Sequence, residues 1–578
     1  MGSLKHESFI EGAAWNNDDS RILTWSFDHT VRLWKASDGT PVGSPLRHDD
    51  SVEGASFNHD ESLILTWSDD HTARLWKASD GTPLGPPLKH GAKVKSATWD
   101  RDESLILTWS DDHTARLWKA SDGTPVGPPL KHDDTVLGAT WNHDESLILT
   151  WSEDDTARLW KASDGTPLGP PLQHDSTVLG AVWNRDESRI LTWSMDGTAR
   201  LWQGADGTPV GQPLQHGYSV LGACFNHDGS RILTWGNDHT ARLWKASDGT
   251  PVWPPLKHDN AVLGATWNHD ESRILTWSED FTARQWQGVD GTPVGSPLKH
   301  DDDVGGGSYS PDGSRILTWS RDTVRLWQAV DGASVGPSLK LERGFVKGAS
   351  FNHDGSRILT WGGDDTARLW KASDSTPLGS PLQHDSTVLG ATWNHDESLI
   401  LTWSEDDTAR LWKVSDSTPV GPPLQHDSTV LGATWNHDES LILTWSADNT
   451  VRLWRARDGT PVGQPLRHDE RVLGAAWNHD ESLILTWSKD NTARLWNTKA
   501  DIDFPQEYLP LLVEVMTGTT MDEAGNITVL TLDQWQQRRD AYIDIAERHL
   551  TMCKHRGANL YLKQKPVWES HRAADTSH

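Results

Sequence analysis

Histidine and aspartate recur along this chain at a constant separation, a pairing that could carry acid–base chemistry or bind a metal. His48 precedes Asp70, and His132 precedes Asp154, by the same 22 residues. A second histidine series directly follows an aspartate and comprises His29, His71 and His113. Imidazole and carboxylate groups are common zinc ligands and general acids or bases. Catalysis, however, needs an asymmetric set of groups, so a pair repeated throughout the chain indicates a structural role.

The repeat is clearest in a tryptophan that ends one strand of each unit. Its copies are 42 residues apart, except for steps of 41 and 43 residues on either side of Trp327. Twelve copies fill the chain up to about residue 497, at Trp34, Trp76, Trp118, Trp160, Trp202, Trp244, Trp286, Trp327, Trp370, Trp412, Trp454 and Trp496. A fixed period of this length is typical of solenoids and propellers.

Each unit reads as four short strands separated by polar turns. In one unit the strands are Val136–Trp141, Leu147–Ser152, Thr156–Lys161 and the Pro-rich Pro167–His174. The first two are almost continuously apolar, which predicts a sheet covered on both faces. Proline donates no ladder hydrogen bond, so the fourth strand is expected at the outer edge. Every unit is therefore predicted to form one four-stranded antiparallel sheet.

Four residue types keep fixed positions in ten of the twelve units, as in His48–Thr66–Asp70–Trp76 and His132–Thr150–Asp154–Trp160. This pattern resembles the WD-40 repeat family, in which such a quartet forms a structural hydrogen-bonded tetrad. The resemblance implies an all-β propeller of twelve blades with a non-catalytic tetrad. A buried Asp and His must find polar partners, which an indole N–H and a threonine hydroxyl can supply.

The exceptions fall together in units eight and nine. Unit eight is one residue short after Asp322, and unit nine has Leu341 in place of His with one extra residue nearby. Because propellers usually have four to eight blades, we expect two joined propellers over residues 1–300 and 301–497; a single large ring is the alternative. The first residues resemble the end of a fourth strand and are predicted to complete the last blade.

Residues 498–578 have a different composition and are predicted to form a small α+β tail. Leu509–Gly518 reads as a short helix ended by glycine, and Gly525–Asn526 as the turn of a hairpin. Asp533 and Gln536 are spaced as a capping box for a helix running to about Cys553. The tail resembles segments that follow WD repeats in some bacterial multidomain signalling proteins; a cap over an exposed propeller end is the alternative.

Composition narrows the class of protein. With 53 Lys and Arg against 82 Asp and Glu, the net charge of −29 repels phosphate backbones and disfavours nucleic acid. Two cysteines exclude a disulfide framework, and no apolar run is long enough to cross a membrane. With no signal peptide evident, we expect a cytoplasmic protein. No nucleophile elbow, P-loop or metalloprotease motif is found, so we expect no enzyme activity, no cofactor and no metal.

The positions that differ among the copies lie next to the tetrad. They are the residues flanking the tetrad Asp, the second residue of the first strand, and the loop after the tetrad His. The resemblance places all of them on one face around the central channel. We therefore predict a partner-binding rim comprising Phe27, His29, Glu53, Asp69, His71, Lys95, Asp111, Glu153, Met195, Tyr218, Asn237, Glu279, Phe281, Arg321, Lys347, Glu405 and Lys489.

The favoured function is a non-catalytic scaffold or sensor module that binds a protein through this rim. The acidity of the chain favours a partner with a basic patch. One alternative is the sensor part of a signalling ATPase or kinase system; a propeller enzyme or metal-binding protein is another. Neutral variation at exposed positions would also produce the variable columns.

Overall fold

Twelve four-stranded antiparallel sheets, here called blades 1 to 12, make up the repeat region in the computed structural model of this protein. The structure describes residues 3–341, 344–498, 511, 514–515, 519–521 and 527–552. Each blade has an inner, a second, a third and an outer strand, which are adjacent in that order. The all-β class and the twelve blades predicted from the repeat are confirmed.

The inner and second strands each have six residues. From blade 1 to blade 12, the inner strands are Ile10–Trp15, Val52–Phe57, Val94–Trp99, Val136–Trp141, Val178–Trp183, Val220–Phe225, Val262–Trp267, Val304–Tyr309, Val346–Phe351, Val388–Trp393, Val430–Trp435 and Val472–Trp477. The second strands are Arg21–Ser26, Leu63–Ser68, Leu105–Ser110, Leu147–Ser152, Arg189–Ser194, Arg231–Gly236, Arg273–Ser278, Arg315–Ser320, Arg357–Gly362, Leu399–Ser404, Leu441–Ser446 and Leu483–Ser488.

The third strands also have six residues, whereas most outer strands have only two. The third strands are Thr30–Lys35, Thr72–Lys77, Thr114–Lys119, Thr156–Lys161, Thr198–Gln203, Thr240–Lys245, Thr282–Gln287, Thr323–Gln328, Thr366–Lys371, Thr408–Lys413, Thr450–Arg455 and Thr492–Asn497. The outer strands of blades 1 to 11 are Leu46–Arg47, Leu88–Lys89, Leu130–Lys131, Leu172–Gln173, Leu214–Gln215, Leu256–Lys257, Leu298–Lys299, Leu339–Lys340, Leu382–Gln383, Leu424–Gln425 and Pro461–Arg467.

A glycine in the inner strand makes room for an indole from the second strand. A Cβ on Gly138 would lie 2.2 Å from the Cζ2 atom of Trp151, so no larger residue fits without moving the indole. The centre of the second strand is fully buried, as Ile148 and Leu149 show. Burial of a large aliphatic side chain stabilises the fold by about 1.5–3 kcal/mol. The strands are thus apolar on both faces because blades pack on both sides.

Neighbouring blades share a hydrophobic cluster at every junction, here called a joint and numbered by its two blades. Leu275 and Leu298 of blade 7 pack with Ile316 of blade 8, and Leu317 of blade 8 packs with Ile358 of blade 9. Packing therefore continues across the irregular units and the predicted boundary after residue 300. The structure has the single large ring, the alternative to the two joined propellers favoured from the sequence.

The N-terminal strand Ser3–Lys5 closes this ring. It pairs antiparallel with the third strand of blade 12, placing Leu4 opposite Ala493. Leu4 is completely buried in a cluster that also contains Ile22 of blade 1 and Leu485 of blade 12. The predicted completion of the last blade by the start of the chain is confirmed.

The described part of the C-terminal tail contains one hairpin and one long helix. Strands Thr519–Met521 and Ile527–Val529 pair antiparallel, which confirms the hairpin, although its turn at Gly525–Asn526 lies outside the described residues. Of the predicted helix at Leu509–Gly518, only residues 511, 514 and 515 are described, and all three are helical. Among the described residues, no helix combines the length and the apolar character needed to cross a bilayer.

The long helix, Leu532–Met552, starts differently from the prediction. Gln534 N–H donates to Thr531 Oγ1 at 3.3 Å, and Thr531 N–H donates to Gln534 Oε1 at 2.9 Å. The capping box is therefore Thr531–Gln534, not Asp533–Gln536, because threonine can occupy the cap just before the first helical turn. Tyr542 and Ala546 pack on Val515; Cys553 and the side chains of His549 and Leu550 lie outside the described residues.

Candidate functional site

The tetrad connects neighbouring blades rather than strands of one blade. His48 follows the outer strand of blade 1, whereas Thr66, Asp70 and Trp76 belong to blade 2. Trp76 Nε1–H donates to Thr66 Oγ1 at 3.0 Å, and the Thr66 hydroxyl donates to His48 Nε2 at 2.8 Å. His48 Nδ1–H then donates to Asp70 Oδ2 at 2.9 Å. An ionised carboxylate only accepts, so the proton of the neutral imidazole is on Nδ1 and Nε2 accepts from the Thr66 hydroxyl.

The Asp70 carboxylate is further stabilised by groups around it. It accepts hydrogen bonds from Asp49 N–H at 2.9 Å, the Thr72 hydroxyl at 2.6 Å and Arg74 Nη2 at 3.0 Å. Burial opposes its charge, but the hydrogen bonds from His48 and Thr72 outweigh burial and hold the pKa of Asp70 well below its usual range. The same network surrounds the tetrad aspartate Asp154, with His132, Thr150 and Trp160 as its partners.

The tetrads are closed to substrates. The side chains of His48 and Asp70 are 0% and 1% exposed, respectively. Burial lowers the pKa of His48, although its hydrogen bond to Asp70 opposes that shift. A neutral, buried imidazole with both nitrogens hydrogen-bonded cannot reach an external group. The His–Asp pairs therefore connect blades and offer no acid–base site.

A second hydrogen-bonded contact joins the blades on the opposite, lower face. In the turn between inner and second strands of blade 11, Glu439 accepts from Asn394 Nδ2 of blade 10 at 3.1 Å and from His395 N–H. We call this contact the lower clamp. Within the described residues its backbone N–H contact to glutamate recurs at eight joints. The near-constant Asn-His-Asp-Glu-Ser turn was a signal of this contact that the sequence analysis did not interpret.

The upper face carries the variable positions, and a β-bulge in the inner strand exposes one of them. In blade 3 the pairing skips from Val94 to Ser96, which leaves Lys95 outside the ladder. The same skip occurs in all twelve blades. A bulge redirects a side chain without breaking the sheet. Residues at this position therefore vary without disturbing the hydrophobic core.

In blades 2 and 3 the predicted rim residues contact one another. Lys93 Nζ lies 2.9 Å from both Glu53 Oε1 and Asp69 Oδ1, and Lys95 Nζ lies 3.1 Å from Asp111 Oδ1. The structure thus brings together four predicted residues and one, Lys93, that the sequence analysis missed. Both lysines are therefore paired with carboxylates of the chain itself.

Blades 5 to 7 present a different surface. Met195, Tyr218 and Phe281 are 51%, 69% and 46% exposed, and the bulge residues Leu221 and Leu263 are exposed beside them. We call these five residues the apolar sector. The two leucines were not predicted as site residues because their side chains resemble ordinary core leucines in the sequence. Clustered exposed apolar side chains of this kind mark interaction surfaces.

Phe281 is also held in an unusual backbone conformation. The residue after the tetrad Asp has a positive φ, with 67° for His29, 69° for His71 and 64° for Phe281. Asn, Asp, His and Gly tolerate this region, whereas a bulky side chain there is strained. The cost of such strain is about 1–3 kcal/mol, and it concentrates at functional sites. The positive φ required at this turn position explains why histidine recurs there. Phe281 is the exception, because its side chain is poorly suited to that backbone conformation.

At joint 8/9 two predicted residues meet a phenylalanine. The Arg321 guanidinium lies 5.3 Å, and the Lys347 ammonium 5.8 Å, from the centre of the Phe345 ring. Both contacts are within cation–π range. The signal for Phe345 was the extra residue in unit nine, where the loop after the missing histidine is longer.

The other predicted rim residues are distributed around the ring. Phe27 stacks on Phe9 with ring centres 4.3 Å apart. Exposed positions without a common cluster are Glu153, Asn237, Glu405 and Lys489, while Glu279 is half-buried. His113 lies 3.9 Å from Asp134, but the described residues contain no group of three or more potential ligands able to hold a metal ion.

Sequence comparisons agree with this architecture. The family described as "WD domain, G-beta repeat" matches residues 1–35, 39–77, 82–119 and 165–203, and "IFT122 first beta-propeller" matches residues 219–497. No curated protein sequence matches the chain. The chain is also similar to the crystal structure of the computationally designed Ika8 protein, at 17% identity and a TM-score of 0.32, over 56% of this chain and 97% of that one.

The fold and the tetrads define a β-propeller. The matches to its blades identify the chain as a member of the WD40-repeat β-propeller family, as its resemblance implied. Propellers of this family are generally protein-interaction scaffolds and typically are not enzymes.

Proposed function

We propose that this protein is a non-catalytic docking platform that binds a partner protein through its upper face, with the apolar sector as the main contact. The observation that carries the proposal is the exposure of Met195, Tyr218 and Phe281 on neighbouring blades. Aromatic side chains and methionine are enriched at the centres of protein interfaces. Most other blades carry polar residues at these three positions, so exposure of apolar groups is not a requirement of the fold.

The strain at Phe281 supports this location. Asp155, Asp365 and Asp407 occupy the same turn position in other blades at φ of 65–67°. The fold therefore accepts a residue better suited to this backbone, yet blade 7 carries phenylalanine there. A residue that costs stability and is exposed to solvent is explained by a contact made outside the chain.

Charge indicates the chemistry of the partner. Asp175, Asp259, Asp301 and Asp302 lie in the upper-face loops of blades 5, 7 and 8, beside the apolar sector. The carboxylates of Asp175, Asp259 and Asp301 each lie 3.3 Å from an arginine of their own blade. An apolar surface bordered by carboxylates fits a partner segment with apolar anchors flanked by Lys or Arg.

The test exchanges the anchors for residues that other blades carry at the same positions. In the triple variant Met195→Glu, Tyr218→Ser and Phe281→Asp, the partner recovered by the native protein should be lost, because no apolar anchors remain. Capture is followed by crosslinking and mass spectrometry, and then by titration of the purified partner. The control is Val289→Ser with Val330→Ser, which removes two exposed apolar residues from the lower face.

The single variant Phe281→Asp distinguishes an effect on partner binding from an effect on stability. Relief of the strained conformation should raise the free energy of unfolding by about 1 kcal/mol, while the affinity for the partner falls. Unfolding in urea and the partner titration measure the two effects. Unchanged partner binding by the triple variant would refute the apolar sector as the docking site.

A further inference from the structure

We infer that joint 8/9 carries a second recognition site on the upper face, formed by Arg321, Phe345 and Lys347, which binds carboxylate side chains in an acidic segment of a partner protein. This inference rests on the proposed function, because it treats the upper face as the docking face. It adds a site of opposite charge to the acidic surface around the apolar sector.

The two cations of this site have no carboxylate partner among the described residues. Within the described residues, neither Arg321 nor Lys347 lies in an ion pair, whereas Lys93 and Lys95 of blades 2 and 3 are paired with rim carboxylates. Both cations are exposed and lie near one uncharged ring. The ring holds them close together without neutralising them, so their charge remains available to an external carboxylate.

A backbone hydrogen bond across joint 8/9 holds the parts of the site together. The Arg321 carbonyl of blade 8 accepts a 2.6 Å hydrogen bond from Val346 N–H of blade 9. This contact follows the shortened turn of blade 8 and the lengthened loop of blade 9. The tetrad histidine of this joint is replaced by Leu341, and Asp322 of blade 8 is exposed, whereas the side chain of Asp364 of blade 9 stays buried and accepts from Thr366. The two compensating length changes bring Arg321 to Phe345. A local rule broken in this way is expected at functional positions.

Glycines open the surface beside the ring. A Cβ on Gly344 would lie 2.4 Å from the Gly363 carbonyl carbon, and Gly344 has a φ of 76°. Other blades carry Asp, Glu, Met or Lys at the position of Gly363. Their absence here leaves Phe345 46% exposed between the cations. The site therefore offers two positive charges and an apolar face, which suits an acidic residue next to an apolar one.

A second pair of rim cations, Arg471 and Lys489, is exposed on blade 12. Lys489 occupies the same repeat position as Arg321, but the described aromatic residues place no ring against it. It therefore provides a matched control for charge without the aromatic platform.

The site distinguishes one rotational position of a bound partner on the ring from the others. Twelve similar blades offer a partner many nearly equivalent rotational positions. One cationic site at joint 8/9, next to an apolar sector on blades 5 to 7, permits only one of them for a partner with correctly spaced acidic and apolar groups. Charge placement of this kind contributes specificity more than affinity.

The test measures fluorescence anisotropy of a labelled short peptide of alternating Glu and Phe at about 0.15 M salt, where screening acts within about 8 Å. The intact protein should bind it, and the Gln–Phe version should bind about tenfold more weakly. Arg321→Glu and Lys347→Leu, residues found at these positions in other blades, should each lower the affinity about threefold to tenfold. Lys489→Glu should leave it unchanged.

The apolar-sector triple variant distinguishes this inference from the proposed function. It should lose the native partner and keep the Glu–Phe peptide. No peptide binding by the intact protein, equal binding of the Gln–Phe version, or an equal loss in Lys489→Glu would overturn the inference. Loss of the peptide in the triple variant would also overturn it, by locating binding on blades 5 to 7.

Discussion

Joint 10/11 and the joints on either side of blade 8 are built from the same repeat but held together differently. Joint 10/11 has the His426–Asp448 hydrogen bond at 2.9 Å on the upper face and the Asn394–Glu439 lower clamp. At joint 7/8, His300 Nδ1 is hydrogen-bonded instead to the Thr323 hydroxyl, at 3.0 Å, and Gly313 replaces the clamp glutamate. At joint 8/9, Leu341 replaces the histidine and Gly355 the glutamate.

The comparison shows that two structural layers support this ring. Apolar packing is present at every joint, including both joints of blade 8. The polar contacts are reduced on both sides of blade 8, where the histidine–aspartate hydrogen bond and the clamp glutamate are missing. Irregular units that suggested a boundary between two propellers are thus a less tightly held part of one ring, and they carry the cation–aromatic site.

Acid should weaken the regular joints more than joint 8/9. Burial lowers the pKa of the tetrad histidines, as for His426, and lowers that of His300 to about 3. Below about pH 6.5 the unfolded chain therefore binds more protons than the folded chain, so stability falls as the pH falls towards the folded pKa values. Each such histidine contributes up to about 1.4 kcal/mol per pH unit.

We expect the urea midpoint to be markedly lower at pH 5.5 than at pH 7.5, because eleven buried histidines act together. Below about pH 3.8 the tetrad aspartates add to the loss, since their folded pKa values are depressed. Leu341 does not titrate, so joint 8/9 lacks the loss of stability that the protonation of a buried histidine causes at the other joints. Equal midpoints at pH 5.5 and 7.5 would contradict neutral, buried histidines.

Replacing the tetrad aspartate should lower the free energy of unfolding much more in a regular blade than in blade 8. Asp448 is 3% exposed and accepts from His426 and Thr450, whereas Asp322 is exposed. Asp448→Ala should lower the free energy of unfolding by about 3 kcal/mol, because charged hydrogen bonds are lost and buried donors remain. Asp322→Ala should change it by less than about 0.5 kcal/mol. Denaturant unfolding of both variants measures the difference, and similar losses would contradict the comparison.

Joint 7/8 can be repaired in part by restoring its lower clamp. Gly313 has a φ of 69°, and glutamates at this position in other blades have φ values of 56–59°. Asn268 of blade 7 is available as the donor, because its Nδ2 atom lies 3.9 Å from where a Cβ on Gly313 would be. Gly313→Glu should raise the free energy of unfolding by about 0.5–1 kcal/mol. Gly313→Ala, which adds strain without a carboxylate, should lower it; stabilisation by both variants would exclude the clamp as the cause.

Much of the architecture was readable because it repeats. The 42-residue period gave the blade count, and the apolar second strand gave burial on both faces. The number of rings could not be predicted from the sequence. A missing histidine, as at Leu341, is expected both at a boundary between two propellers and at a weakened joint within one ring. The tail shows a related limit: Asp533 and Thr531 are both good caps, and only the backbone path selects Thr531.

The candidate site was only partly readable for a similar reason. Variation among the copies identified Met195, Phe281 and Arg321, because neighbouring blades provide a comparison at each position. Leu221 and Phe345 were missed: the bulge that exposes Leu221 involves hydrogen-bond register, and the contact of Phe345 with Arg321 crosses a joint.

The sequence by itself determined the strands, the repeat and the polar groups that must be satisfied when buried, since these depend on residue type and spacing within one unit. Tertiary structure alone decided that twelve units close into one ring, and which exposed side chains meet on its upper face. Closure depends on small angles summed over all the joints, and contacts across a joint connect residues that no local pattern relates.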